Sequence, residues 1–513
     1  MNIIEEVRRC SELFADLPAI LDRDRQETHR ELWSRVDRLS QAFVSIGLRK
    51  GERLIAWLPN CIEAIECELA CLQSGAVWIT LHQQMTWREV AGVIRSTEPA
   101  LIVAHSEIWA KTDRRELAAI CSAPVILVED DEGGLAYERL IAEHDAIPPG
   151  VHVEEDDVAR LRYTSGTAGK MKAAVLTHRV YLASLELQQS VLHPMDTSDR
   201  TLHAAPLTHA SGALIYPTLA AGGANVVLPK FLPEEALETV ERLRITTMFV
   251  VPTILQRLAD APGFHTWDLS SLRTVTYGGA PIAAERLRPV FERLPNVLVQ
   301  IYGLTEAVHP VTSLGREEHY AGNPRLASAG KPTHINEVRI ADESGGEAAE
   351  GAVGEILVRG PNVMTEYWRD PQETAAVLRD GWLATGDLAY RDADGHIYIV
   401  DRKKDVVISG GFNVYTSEVE LALCEHPDVA EAVVIGIPHE DWGEQVHAII
   451  VPRGAGALSE AAIIGYCRER LSPYKVPKSV EFRSEPLPKT GAAKIAKGEL
   501  RRRFWPESDR QVH

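Results

Sequence analysis

Thr164-Ser-Gly-Thr-Ala-Gly-Lys-Met-Lys172 concentrates hydroxyls, glycines and lysines in one short segment. Glycines let backbone N–H groups come close to an anion, hydroxyls donate further hydrogen bonds, and Lys172 adds a point charge, so the segment suits a polyphosphate. It is not a Walker loop, because a glycine followed after four residues by Gly-Lys-Ser/Thr is absent. A strand-like approach at Val158–Arg162 precedes it, and a helix-like run follows Leu176.

Further along, Tyr277-Gly-Gly-Ala-Pro281 and Gln300-Ile-Tyr-Gly303 each end a strand-like run on glycine. Such an ending lets a planar base slide between backbone and an aromatic face. Glu306 suits Mg²⁺, which takes one or two carboxylates together with phosphates and water; the plainer alternative is a carboxylate at a helix start. Asp387, in Thr385-Gly-Asp387, can accept two O–H bonds at once. Between Lys489 and Arg503 six cations stand against one acid, Glu499. Alone, that stretch reads as a solvated basic helix end.

The order of these segments, with Gly381-Trp-Leu-Ala-Thr-Gly-Asp387, Asp401-Arg-Lys-Lys404 and Lys489-Thr-Gly-Ala-Ala-Lys494, resembles the adenylate-forming acyl-CoA synthetase superfamily over nearly the whole chain. The resemblance implies a carboxylate–CoA ligase that uses ATP, Mg²⁺ and coenzyme A. It places Thr164, Ser165, Gly166, Thr167, Gly169 and Lys172 on the phosphates, Gly279, Ala280, Gln300 and Tyr302 around the adenine, and Asp387 and Arg402 on the nucleotide. Thr305 would touch the α-phosphate, Glu306 would hold the metal, and Lys494 would be the catalytic lysine. A mobile ammonium aimed at the α-phosphate stabilises charge where it develops. Lys404 falls at the family hinge, and Gly410 and Gly411 would line a pantetheine channel. The chain departs from the family loop at Ala168, Met171 and Ala173, of which Ala168 removes a hydroxyl, and Ala493 replaces a glycine before Lys494.

For the acid, Pro206-Leu-Thr-His-Ala-Ser-Gly212 is similar to the segment that walls the family's acyl pocket. His209 would border the carboxylate and join the catalytic set. Amino-acid-activating relatives carry Asp where this chain has Ala210, which argues against an α-amino acid. Gly278, Ile301, Gly303, Val308 and His309 would complete a roomy, mostly apolar pocket, with His309 facing a hydroxyl or a second carboxylate on the substrate. An aromatic or medium-chain acid fits. Two rivals stand beside this reading. One is a ligase that loads a carrier protein's phosphopantetheine. The other is a binding protein that has lost catalysis, which Ala168, Met171 and Ala493 suggest and which Lys494, Glu306 and Asp387 argue against.

The elements that must position these residues alternate. Arg53–Trp57, Leu101–Ala104, Val125–Val128, Asn225–Leu228 and Thr246–Val251 are short apolar runs, separated by helix-period stretches such as Glu31–Ile46 and Glu234–Leu243. That alternation predicts α/β layers with largely parallel strands. Glu337–Ile340, Gly354–Arg359 and His396–Val400 lie among Gly and Asp turns and predict a β-rich part. Residues beyond about 418 read as a compact α+β unit. The expected architecture is therefore a large N-terminal adenylation domain (1–403) and a small mobile C-terminal domain (404–513).

With 513 residues the chain exceeds one domain. A net charge of −19 disfavours nucleic acid and anionic membranes as partners. Seven cysteines without a CxxC pair indicate neither a disulfide framework nor a zinc site; Cys67 and Cys71 are expected as buried thiols on one helix. The stretch Ala213–Leu228 is broken by Pro217, Gly222, Gly223 and Asn225, so no membrane span is expected. Met1-Asn-Ile-Ile-Glu-Glu lacks the pattern of a secretory signal. The expected setting is cytoplasmic, with small-molecule partners only and a homodimer left open.

Overall fold

The computed structural model describes residues 1–129, 134–164, 171–454, 458–489 and 495–505. Among these, two large sheets, a smaller antiparallel sheet and a C-terminal sheet carry the fold. The first large sheet runs, in spatial order, Glu366–Tyr367, Lys172–Thr177, Val158–Thr164, Val77–Thr80, Arg53–Trp57, Leu101–His105, Val125–Val128 and Leu135–Ala136. The second places Leu298–Tyr302 beside Thr274–Gly278, then Thr247–Val250 and Arg200–His203. Pairing is parallel through both sheet centres, as strands separated by crossover helices require.

The helix expected after Leu176 is present, and the structure adds a strand ahead of it. A strand, Lys172–Thr177, intervenes and pairs antiparallel with Val158–Thr164, and helix His178–Val191 follows. The connection is too short for a crossover, so only an antiparallel return is open to it. Lys172 is therefore a strand residue, directly opposite Thr164.

Helix Ile62–Gln73 is buried almost all round, including Glu63, Glu66 and Glu68. Carboxylates in such a place need cationic partners, and they have them: Arg25 pairs with Glu63, Arg35 with Glu66 and Arg160 with Glu68. Cys67 and Cys71 on the same helix are fully buried free thiols, as expected.

The antiparallel sheet Glu337–Ala341, Gly354–Arg359, Trp382–Arg391 and Leu378–Arg379, with Ile397–Arg402 joining Trp382–Arg391, is the expected β-rich part. The small α+β unit follows, built on the long hairpin Val429–His439 and Gly443–Pro452 with its own core around Val419, Val434 and Ile450. The basic tail is less solvated than its composition implies. Lys489 pairs with Glu431, Lys497 with Glu420 and Arg503 with Glu481. No helix among the described residues is long and apolar enough to cross a membrane.

Candidate active site

The returning strand brings Lys172 against residues that lie far away in sequence. Its ammonium pairs with Glu373 on helix Pro371–Val377 and lies 5.3 Å from the Tyr367 ring centroid. The Tyr367 hydroxyl donates to Glu306 Oε1 at 2.7 Å. Lysine, phenol and carboxylate thus form one chain, with Glu306 held on a single oxygen. Burial, and then the Glu306 charge, push the Tyr367 hydroxyl well above its usual range, so it remains a donor. Glu306 lies in an irregular segment and not at a helix start. Its backbone carbonyl accepts from Met364, which fixes its position. Thr305 precedes it, half-buried. Ser165, Gly166, Thr167, Ala168, Gly169 and Lys494 lie outside the described residues.

A second cluster forms on the neighbouring sheet edge. Asp387 and Arg402 face each other across an antiparallel pair, and the guanidinium Nε lies 3.4 Å from Asp387 Oδ1. The Tyr302 hydroxyl donates to the other oxygen, Oδ2, at 2.7 Å. Burial, and then the Asp387 charge, raise the phenol well above its normal range, so this hydrogen stays on the tyrosine. Gln300 is on the same strand, two residues back, where its Oε1 lies 3.4 Å from the Tyr277 hydroxyl. Gly279, at φ +85°, and Ala280 lie exposed just beyond that neighbouring strand.

Gly278 and Gly303 are needed for close packing. A Cβ on Gly278 would sit 2.1 Å from the Ile301 carbonyl oxygen, and one on Gly303 would sit 2.5 Å from His309 Cβ.

The expected acyl-pocket residues converge. His309 Nε2 lies 3.4 Å from the Ala210 carbonyl, and its ring meets Phe249 edge-on at 6.2 Å. Ile301 and Val308 are buried nearby in sequence, and Asn362 donates to the Val308 carbonyl at 2.7 Å. Burial lowers the His309 pKa to about 4, so the ring is neutral at pH 7. His209 Nδ1 bonds the Thr208 hydroxyl at 2.8 Å, and its ring meets His82 edge-on.

Arg162, on strand Val158–Thr164, donates to the Thr208 carbonyl at 3.3 Å. Sequence reading missed Arg162, Phe249, Tyr367 and Glu373. None belongs to a motif, and only Arg162, two residues before Thr164, offered even a positional signal.

Residues 402–406 form a hydrogen-bonded turn in which Asp405 and Val406 donate to the Arg402 carbonyl. Arg501, from helix Lys497–Arg502, donates to the Lys404 carbonyl at 3.1 Å. Burial and then the neighbouring Arg402 charge lower the Lys404 pKa. Gly410 and Gly411, at φ +57° and +82°, form the two-residue turn between strands Val407–Ser409 and Phe412–Val414. Positive φ at both positions is the type I′ hairpin geometry, which favours glycine. Trp442 and Phe412 lie exposed around this turn.

The model of AMP-binding enzymes matches residues 7–368, and that of the AMP-binding enzyme C-terminal domain matches 418–494. A feruloyl-CoA synthase from Amycolatopsis sp. is 40% identical over 479 residues, covering 93% of this chain and 94% of the relative. An indoleacetate–CoA ligase from Aromatoleum aromaticum is 35% identical, covering 98% of each. The solved structure of the amide bond synthetase McbA from Marinactinospora thermotolerans superposes with a TM-score of 0.89 at 32% identity, covering 98% of this chain and 100% of that one. The chain belongs to the AMP-binding enzyme family, as an adenylate-forming acyl-CoA synthetase.

Proposed function

We propose that this chain activates an aromatic carboxylic acid and passes the acyl group to CoA. A carboxylate oxygen attacks the α-phosphorus of ATP and pyrophosphate leaves; the CoA sulfur then attacks the acyl carbon and AMP leaves. The observation that carries the nucleotide assignment is the convergence of Tyr302, Asp387 and Arg402 beside Gln300. It leaves a carboxylate poised for ribose hydroxyls next to an aromatic plane. Lys172 and Thr164, opposite each other at the mouth of the hairpin, serve the phosphates with Ser165, Gly166, Thr167 and Gly169.

Among the described residues no cluster of three His, Cys, Asp or Glu could cage a metal. Glu306, held through one oxygen by Tyr367, fits Mg²⁺ arriving with the nucleotide, since that ion takes few protein ligands and keeps phosphates and water. When bound, the ion supplies charge neutralisation at the phosphates. Lys494 is assigned to the adenylation step, and Thr305 to the α-phosphate.

The acyl pocket supports an aromatic acid. Phe249 and a neutral His309 supply aromatic rings in mutual contact, Ile301 and Val308 are apolar, and Ala210 offers no counter-charge for an ammonium. The two relatives named above are a feruloyl-CoA synthase and an indoleacetate–CoA ligase, and both names refer to acids that carry an aromatic ring. For the second step, residues 1–403 and 404–513 are assigned as domains that alternate about Lys404. The type I′ turn at Gly410–Gly411, flanked by Trp442 and Phe412, is assigned to the pantetheine arm. The free cysteines and the need for ATP and CoA favour the cytoplasm.

The test is a panel of aromatic and medium-chain acids assayed for pyrophosphate release with and without CoA, with mass detection of acyl-CoA. Acid-dependent pyrophosphate release followed by free acyl-CoA is the expected result. Pyrophosphate release without acyl-CoA, restored by a carrier protein or an amine, would replace CoA as acceptor. Absence of release with every acid would overturn the reading.

A further inference from the structure

Arg162 sits on the strand that leads into the phosphate-binding hairpin, and alternation along that strand puts it on the same face as Arg160 and Thr164. The two arginines share surroundings that contain one carboxylate. Glu68 accepts from Arg160 at 2.7 Å on one oxygen and from the Tyr216 hydroxyl on the other. Both oxygens are thereby engaged, and Arg160 has the Tyr181 hydroxyl as a further partner at 3.2 Å. Arg162 has no ion pair among the described residues. Its contact is one long hydrogen bond to the Thr208 carbonyl. Residues 165–170, which adjoin it in the chain, include no acid. Two guanidinium groups against one carboxylate leave an excess positive charge.

A guanidinium has five N–H donors in a planar fork. Enclosing one without a counter-ion is costly, and the usual resolution is a bidentate carboxylate or another oxyanion. Burial is severe enough here to pull the Arg162 pKa below its ordinary value. The residue is nevertheless half-buried and not fully enclosed.

Its position within the cleft selects the ligand. Arg162 and His309 both contact the segment 208–210, Arg162 at the Thr208 carbonyl and His309 at the Ala210 carbonyl. The two side chains are close enough for the arginine charge to help hold His309 neutral. The His309 and Phe249 rings meet in a T-shaped contact. Arg162 thus brings a positive charge to the segment 208–210, beside the histidine already assigned to the far end of the acid.

We infer that Arg162 is a specificity-determining residue that anchors a second carboxylate at the distal end of the acid, so that the preferred substrates are dicarboxylic acids activated at one end. This rests on the reading of the cleft as the acyl pocket of a ligase. The hydrophobic wall made by Phe249 and Val308 would hold the spacer, aromatic or short aliphatic, and the guanidinium would form paired N–H···O bonds to the free carboxylate.

The test uses matched acids that differ in the distal group: terephthalate against 4-methylbenzoate, and adipate against hexanoate. Each is assayed with the full-length enzyme, ATP, Mg²⁺ and CoA, and each is also titrated by calorimetry without ATP. The expected result is a higher kcat/KM for the dicarboxylate in at least one pair. In Arg162→Leu the dicarboxylate-to-monocarboxylate ratio falls on the order of 100-fold, as loss of a charged hydrogen-bonded pair implies. Arg162→Gln should give a smaller fall in the same direction, and it serves as the readout where the leucine variant fails to fold. Calorimetry should show the same loss of dicarboxylate affinity whether or not turnover is detected, which separates this inference from the ligase reading. A wild-type preference for the monocarboxylate in both pairs overturns it. So does an equal loss on both members of each pair, which would assign Arg162 to the reacting carboxylate or the nucleotide.

Discussion

Tyr302 donates its phenolic hydrogen to Asp387 Oδ2 at 2.7 Å, which ties the aromatic face proposed for adenine to the carboxylate proposed for ribose. The strand Leu298–Tyr302 and the strand Trp382–Arg391 belong to different sheets, so this bond also joins two parts of the large domain. Asp387→Asn should raise the KM for ATP by roughly 10- to 100-fold, the loss of a charged acceptor. Tyr302→Phe should cost less, about fivefold, because Arg402 still orients the carboxylate. Equal effects would mean that the phenol, and not the carboxylate, makes the nucleotide contact. Steady-state kinetics at saturating acid and CoA separate these outcomes.

Lys172 pairs with Glu373 across 201 positions of sequence. The pair is partly exposed, so Glu373→Gln should change the KM for ATP by less than about threefold. Lys172→Met should raise it about tenfold, since the point charge proposed for the phosphates is lost. A Glu373→Gln effect as large as that of Lys172→Met would place Glu373 itself on the bound nucleotide.

Lys494→Ala should lower acyl-adenylate formation by several orders of magnitude. A synthetic acyl-adenylate should still be converted to thioester at close to the parental rate, because the lysine is assigned to the phosphoryl step alone. Both half-reactions are measured in single turnover. Equal loss in both would remove Lys494 from its assigned role.

Lys404→Pro should spare acid-dependent pyrophosphate release and abolish thioester formation, because proline fixes φ near about −65° at the assigned pivot. Its partner experiment addresses the turn at Gly410–Gly411. Gly411→Asn keeps a residue type that tolerates positive φ while adding a side chain. Slower thioester formation with unchanged thermal stability would support a pantetheine channel, whereas a lower Tm with normal CoA kinetics would make the glycines a matter of turn geometry.

His178, His203 and His309 are buried with pKa values lowered by burial to about 4. Between about pH 4 and pH 6.5 the unfolded chain therefore binds protons that the folded chain does not. Their stabilisation is complete above pH 6.5 and is lost as pH falls towards 4. His178 opens the helix His178–Val191, where the dipole further disfavours a cation. Its two ring nitrogens are buried without hydrogen-bond partners. His178→Leu should flatten this slope by about 1 to 3 kcal/mol, read as the difference in unfolding free energy between pH 7.5 and 4.5. An unchanged slope would mean that His178 is hydrated in the folded state.

Much of the architecture was legible in the sequence because it is written in short-range patterns. The strands Arg53–Trp57, Val125–Val128 and Gly354–Arg359 are apolar or alternating runs bounded by turn residues, and the structure has them at the expected positions. The order of the glycine- and charge-bearing segments was enough to indicate the family. Partners were not legible. The placement of Glu373 on Lys172, of Tyr367 on Glu306, and of Tyr302 on Asp387 depends on strand order and on which edges of the sheets meet. Arg162 shows the same limit. As a residue type it is one more cation on a strand, and only the packing of helix Ile62–Gln73 decided that Glu68 goes to Arg160 and that Arg162 is left without an ion pair among the described residues. Side-chain period is local and survives in sequence, whereas the identity of a charge's partner is a property of contacts between segments that periodicity does not encode.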